Sequence, residues 1–407
     1  MRPYMRIGEV PRKRHMRVER EGAPVYEELV GREGFSGPSS LLYHRGMPEA
    51  AHDVAPGADD IATLELEHVH GHAHIEAWRL GPEGDAVSGR RWLLVNDDVR
   101  IGVAVPDHPQ ETLYVNASAD EVLFLHRGTG TLRSQFGRLP LREGDYAVVP
   151  RGTIHRLDLD DPAGSRILVI ECAGMVDSPD RYRARNGQLL EAAPYSERDV
   201  RGPVELESGD GEAEVWLKRG GRVTRYCLDH HPFDVVGWDG TVYPCALSVH
   251  DFEPRAGRFH VPPPTHQVFQ ARNLVICNFV PRKVDWDPEA VALPYHHSNL
   301  DSDEVMYYAG GNYSARRGIR EGSITLHVGG VPHGPQPGAL EASRDAPRET
   351  DELAVMIDTF RPLHRTAAAR QVLDGAYPFS WHTPGGRAAP PPVGGPGGAP
   401  PPGVTPP

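Results

Sequence analysis

The stretch Gly144–His155 reads GDYAVVPRGTIH, and Gly322–His333 reads GSITLHVGGVPH. Both obey one spacing, Gly-x5-(Pro or Val)-x-Gly-x2-His, with Pro150 in the first and Val328 in the second. Each is preceded by Glu-x6-Gly, as Glu121–Gly128 and Glu304–Gly311. The two units lie about 180 residues apart, and a spacing repeated over that distance marks a duplicated structural unit. Glycine at fixed offsets permits tight hairpin turns, so the unit is a strand–turn–strand element whose closing His projects inward.

Short β-rich runs bounded by turn residues surround both units. They include Trp92–Val95, Glu121–His126, Tyr146–Val149, Arg166–Glu171, Glu214–Lys218, Val268–Phe279, Glu304–Ala309 and Ser323–Val328. Helical signals are few; Arg348–Ile357 and Thr366–Leu373 read as short helices, and Asp199–Arg201 is too short to assign. Many short strands with Gly and Pro punctuation predict a mainly β sandwich or barrel.

The 407 residues carry 43 Lys+Arg against 56 Asp+Glu, a net charge of −13, which argues against a nucleic-acid or anionic-membrane partner. No apolar run approaches the roughly 18 residues of a membrane span, and the basic N-terminus has no apolar leader core. A cytoplasmic protein is expected. Cys172, Cys227, Cys245 and Cys277 form no CxxC pair and are expected to be reduced. From Pro384 to Pro407, ten Pro and seven Gly occupy 24 residues, a composition that cannot offset its ordering entropy. The expected organisation is an N-terminal β domain (1–210), a C-terminal catalytic domain (211–382) and a disordered tail (383–407).

The second unit gathers metal-binding chemistry: PYHHSNLDSDEVMYY holds His297-x-Asn299-x4-Glu304, and His333 follows 29 residues later. Two imidazoles and one carboxylate on one side of an ion leave three positions open, the facial triad suited to Fe(II). Strand alternation places Asp303 on the face of His297 and Asn299, so Asp303 competes with Glu304 as the carboxylate. Where the cupin motif that these spacings resemble has its two histidines, the first unit has Asn116 and Ser118 beside Glu121 and His155, which implies no metal there. His68, His70, His72 and His74 alternate ahead of Glu76; an exposed strand or entry loop accounts for them without chemistry.

The doubled spacing resembles the two motifs of the cupin superfamily, which implies a bicupin of two double-stranded β-helix (jelly-roll) barrels. The nearer resemblance is to the homogentisate 1,2-dioxygenase family, in its bacterial branch. It rests on HSNLDSDEV, GNYSARRG and LHVGGVPHGP together with FDVVGW (Phe233–Trp238), IGEVPRKRH (Ile7–His15), YEELVGREGFSGPSSLLYHR (Tyr26–Arg45) and GRFHVPPPTHQVF (Gly257–Phe269). The resemblance implies iron ligands His297, Glu304 and His333. Glu304 is preferred over Asp303 because Tyr313, nine residues on, keeps the family's distance to an active-site tyrosine. It also implies His260 as the catalytic base near the remote hydroxyl, with His266 as a competitor, and Tyr313, Arg316, His327 and His333 at the substrate.

The implied activity is cleavage of homogentisate by O2 to maleylacetoacetate on Fe(II), in tyrosine, phenylalanine or phenylacetate breakdown, by a homo-oligomer built on trimers. Two other functions fit the residues: ring cleavage of another hydroquinone or gentisate-like acid, and a non-catalytic bicupin that binds a small ligand.

Overall fold

A computed structural model of the chain describes residues 3–16, 18–32, 37–57, 70–258, 261, 263–288, 290–291, 293–313, 316–343 and 348–382. His68, His260 and the Pro/Gly-rich segment 383–407 lie outside the described residues.

The strands form two jelly-roll barrels, a bicupin. The N-terminal barrel has two seven-stranded walls. One runs in the order Cys245–Ser248, Asp145–Val149, Asp120–Arg127, Arg166–Cys172, Val99–Ala104, Arg90–Val95 and His364–Arg365. The other runs Gly137–Leu141, Gly130–Ser134, His155–Leu159, Leu113–Asn116, Ala213–Arg219, Arg222–Leu228 and Ala51–Pro56. The C-terminal barrel has one six-stranded wall: Gln267–Ala271, Leu274–Phe279, Leu353–Thr359, Asp303–Gly310, Ile324–His327 and Ala73–Ile75. Opposite it lie a ribbon of Arg282–Lys283 with Glu349–Thr350 and a reciprocal bridge between His297 and His333.

The central strands read as continuous apolar runs because both faces are covered. In Asp120–Arg127, Leu123 and Leu125 fill the first barrel, while Val122 and Phe124 join a core shared with Val305, Tyr307 and Ile276 of the second. Met306 and Tyr308, on the opposite face of their strand, pack with Cys277 and Met356. Fully buried side chains such as Leu93 and Ile276 each contribute about 1.5–3 kcal/mol. Tyr146 Oη donates to Asn278 Oδ1 at 2.5 Å across the junction.

Each half also lends chain to the other. Ala73–Ile75 pairs with Ile324–Leu326 of the C-terminal barrel, and His364–Arg365 returns to pair with Leu94 and Val95 of the N-terminal one. The strands Ala213–Arg219, Arg222–Leu228 and Cys245–Ser248, which follow the boundary expected near residue 210, all pair with N-terminal strands.

One expected helix is a strand. Residues 348–357 contribute to Glu349–Thr350 and Leu353–Thr359, the latter paired on both sides, with Leu274–Phe279 and with Asp303–Gly310. The apolar run from Leu353 to Ile357 has no helical stripe, and long-range pairing decides its state. The run Val268–Phe279 is two strands, Gln267–Ala271 and Leu274–Phe279. The other expected helix forms as Ala367–Gln371, capped by Thr366, whose side chain accepts from Ala369 N at 3.2 Å. Cys172, Cys245 and Cys277 are buried, and none of the four cysteines is in a disulfide.

Candidate metal centre

Glu304 stands second in the strand Asp303–Gly310, directly opposite His327 on the neighbouring strand. The bridge between His297 and His333, with both backbone N–H···O distances at 2.9 Å, brings the two imidazoles to a ring separation of 4.3 Å. His297 Nε2 lies 3.5 Å from Glu304 Oε2, and His333 Nε2 lies 3.3 Å from Glu304 Oε1. One ligand atom from each of the three residues falls within 4.8 Å of the others. The Nδ1 edges face backbone carbonyls, Tyr295 O at 3.3 Å and Val331 O at 3.4 Å, which turns both Nε2 atoms toward the carboxylate.

His333 is fully buried at its side chain, and its Nε2 has no hydrogen bond of proper geometry. A buried unpaired imidazole nitrogen is costly, and a cation coordinated at that atom satisfies it. The donor set of two imidazoles and a carboxylate therefore fits a divalent transition metal. Burial raises the Glu304 pKa, but the surrounding His297, His327 and His333 outweigh it and hold the group well below the usual carboxylate range. Contact with Glu304 raises the His297 pKa against the opposing effect of burial.

Asp303 has other partners. Its Oδ1 accepts from Gly329 N and its Oδ2 from Leu363 N, both at 2.7 Å. In the first barrel Asp120 acts alike, accepting from Arg151 N and Val176 N at 3.0 Å. Arg151 and Gly329 occupy the same place in the repeated spacing, so the Asp ahead of each Glu ties down the adjacent turn, and the Glu is free to point inward.

The first barrel keeps the same frame around a different centre. Tyr114 pairs with His155 as His297 does with His333, and Asn116 Nδ2 donates to Glu121 at 3.0 Å as Asn299 Nδ2 does to Glu304 at 3.4 Å. Tyr114 and Asn116, not Asn116 and Ser118 as expected, are thus the counterparts of His297 and Asn299. The guanidinium of Arg90 meets Glu121 with two bonds, 2.7 and 3.0 Å, supplying the positive charge there. Lys218 bonds Glu171 beside it at 2.7 and 2.9 Å.

The predicted substrate residues separate. His327 is fully buried; its Nδ1–H donates to Glu304 Oε1 at 2.9 Å and its Nε2 accepts from Tyr377 Oη at 3.1 Å. Burial, then the charge of Arg316, pushes its pKa down to about 3, consistent with that neutral tautomer. It lies behind Glu304 and holds it. Arg316 donates to Gly334 O at 3.0 Å, its guanidinium carbon 5.7 Å from the Trp381 ring centre. Tyr313 packs on Tyr308 and donates to Leu353 O at 3.3 Å. His266 is buried against Phe279.

Three participants were not anticipated. Near the end of the described chain, Tyr377 bonds His327, and Trp381 packs against Tyr377 and His72. Asp358 stands opposite Glu304 across the strand pair, with Oδ1 buried and without a hydrogen-bond partner; burial, then the charge of Glu304, pushes its carboxyl up to about 7. The histidine run expected to be exposed is corrected: His70 is exposed, but His72 and His74 are buried in the second barrel, because Ala73–Ile75 is an inserted strand.

The family model for the homogentisate 1,2-dioxygenase N-terminal region matches residues 100–248, and that for its C-terminal region matches residues 263–384. The chain belongs to the homogentisate 1,2-dioxygenase family. Among relatives, a candidate dioxygenase of Saccharolobus solfataricus is 38% identical over 93% of this chain and 99% of its own length. A homogentisate 1,2-dioxygenase of Bradyrhizobium diazoefficiens is 28% identical, over 63% of this chain and 59% of that enzyme. Among solved structures, a cupin 2 conserved barrel domain protein from Leptotrichia buccalis superposes with a TM-score of 0.33 at 10% identity, covering 72% of this chain and 99% of that one. Among the described residues of this dioxygenase family member, His297, Glu304 and His333 are the one group with metal-binding geometry, and no helix is long and apolar enough to cross a membrane.

Proposed function

We propose that the chain is an Fe(II)-dependent ring-cleaving dioxygenase that converts homogentisate and O2 to maleylacetoacetate, in the breakdown of tyrosine, phenylalanine or phenylacetate. The observation that carries this reading is the convergence of His297, Glu304 and His333, with the buried His333 Nε2 lacking a hydrogen bond. These three residues hold the ion from one side and leave positions for substrate and O2. Bound Fe(II) supplies the electron transfer that lets triplet O2 react with a singlet aromatic ring.

The chain's own groups do the rest. His327 keeps Glu304 oriented through the bond to Oε1, and its neutral state adds no competing cation. Arg316, a permanently charged fork half-buried beside Trp381, meets the acetate carboxylate of the substrate. Tyr313 borders the ring. His260 takes the proton of the hydroxyl remote from the ion, a role suited to an imidazole of near-neutral pKa. The assembly is a trimer-based homo-oligomer.

Anaerobic loading with Fe(II), followed by O2 uptake with homogentisate, gentisate and plain hydroquinone side by side, tests the reading. Homogentisate is expected to be consumed fastest, with one O2 per ring. Faster turnover of gentisate assigns a different acid, equal rates with all three reject an acetate-specific pocket, and metal binding with no uptake leaves a ligand-binding bicupin.

A further inference from the structure

We propose that His72, delivered from the N-terminal half, is a positioning residue that locks the turn carrying His333 into the second barrel. The inference rests on the reading of His333 as a metal ligand. The His72 ring is clamped between the two ends of that turn. Its Nδ1 accepts from Val328 N at 3.3 Å and its Nε2–H donates to Pro332 O at 3.1 Å. Val328 and Pro332 bracket Gly329–Val331, and His333 follows at once. One neutral imidazole thus fixes both the departure of the strand Ile324–His327 and the approach to the ligand.

The ring also packs edge-on against both inner histidines, 5.6 Å from His333 and 5.4 Å from His327, with Trp381 at 5.5 Å. Two residues on, His74 anchors the inserted strand: Nε2 bonds Ser323 Oγ at 3.0 Å and Nδ1 bonds Asp374 Oδ2 at 3.2 Å. Strand alternation puts His72 and His74 on one face, which is why the histidines recur at every second position.

The duplication supplies an independent observation. The two barrels hold their turns alike: Gly152 N donates to Asn116 O at 2.9 Å, and Gly330 N donates to Asn299 O at 2.7 Å. Arg151 N and Gly329 N donate to Asp120 and Asp303. The turns differ at Pro150 against Val328. Proline has no N–H to give. Only the barrel with the His/Glu/His set replaces that proline by a residue whose N–H reaches an imidazole from the other half of the chain.

Anaerobic Co(II) titration against a competing chelator, followed through the visible bands of the bound ion, tests the inference on full-length protein. His72→Phe keeps the ring but loses both bonds; it is expected to bind Co(II) about 10–100-fold more weakly, with altered bands. His72→Gln can restore the donor to Pro332 O and is expected to recover part of the loss. Val328→Pro removes the N–H from which Nδ1 accepts, with the residue the first barrel already uses there, and is expected to weaken binding in the same direction. It decides the matter if His72→Phe does not fold. Wild-type affinity and bands in the folded variants overturn the role of His72 and leave the metal reading standing. Failure of the wild type to bind Co(II), or binding unaffected by His333→Ala, overturns the metal reading itself.

Discussion

Replacing Arg90 by Met tests what the buried ion pairs of the first barrel contribute. Arg90, Glu121, Glu171 and Lys218 form a buried set of two cations and two carboxylates, each side chain no more than 4% exposed. Arg90 bonds Glu121 at 2.7 and 3.0 Å, and Lys218 bonds Glu171 at 2.7 Å. The variant takes those two charged bonds from Glu121, which keeps the neutral donors Tyr114 and Asn116. Removing one partner of a buried ion pair costs about 3–5 kcal/mol. The double variant Arg90→Met/Glu121→Gln carries no stranded charge, and its loss is expected to fall below about 2 kcal/mol.

The pH dependence gives a second readout with a definite sign. Burial raises the Glu121 pKa, but Arg90 outweighs it and holds the group at about 2, against 4.5 when free. A depressed carboxyl contributes stability that is present above 4.5 and lost as pH falls toward 2, about 3 kcal/mol in all. Without Arg90, burial prevails and the native pKa rises above 4.5. The native variant then binds more protons than its unfolded chain, so its deficit against wild type shrinks as pH falls from 7 to 5. Urea unfolding monitored by tryptophan fluorescence suits the measurement, since Trp92 lies 4.7 Å from the Lys218 ammonium. A deficit below about 1 kcal/mol at pH 7, unchanged at pH 5, refutes the account of this centre.

Other perturbations have equally definite outcomes. His44 is buried between Asp234 at 2.7 Å and Glu28 at 2.9 Å; burial lowers its pKa, but the two carboxylates prevail and raise it to about 9. Its contribution is present in full below pH 6.5 and disappears as pH rises through 9, so the stability gap between wild type and His44→Gln is expected to close by pH 10 in urea melts. Gly311→Ala must force φ +80° on a residue whose Cβ would sit 2.1 Å from Asp351 O, and a lowered melting temperature together with weakened metal retention is expected. Thr366→Ala removes the cap of Ala367–Gln371 and is expected to cost about 1 kcal/mol by chemical denaturation, with metal binding unchanged.

The duplicated barrel was legible because its turns impose backbone conformations that only certain residues tolerate. Gly144 and Gly322 both sit at φ 83°, and Gly152 and Gly330 at 82° and 78°, so their spacing survives where the sequence between them does not. The candidate His297/Glu304/His333 cluster was legible for the same reason, since a fixed turn delivers His333. What depended on distant pairing was hidden. Leu353–Thr359 has strand neighbours about 80 and 50 residues away in sequence, and its local composition does not announce them. The alternation of His70, His72 and His74 was plain, but not which surface would cover it, because the covering barrel is built some 250 residues later. Arg90 belongs to no motif; its role follows from where the first barrel closes.

The central claim is that His297, Glu304 and His333 together hold one metal ion, and metal content after anaerobic Fe(II) loading and desalting tests it most directly. The account predicts one ion per chain in the wild type and in Asp303→Asn, and none in His333→Ala or Glu304→Ala. An ion retained at wild-type occupancy in His333→Ala, or lost in Asp303→Asn while Glu304→Ala keeps it, contradicts the account.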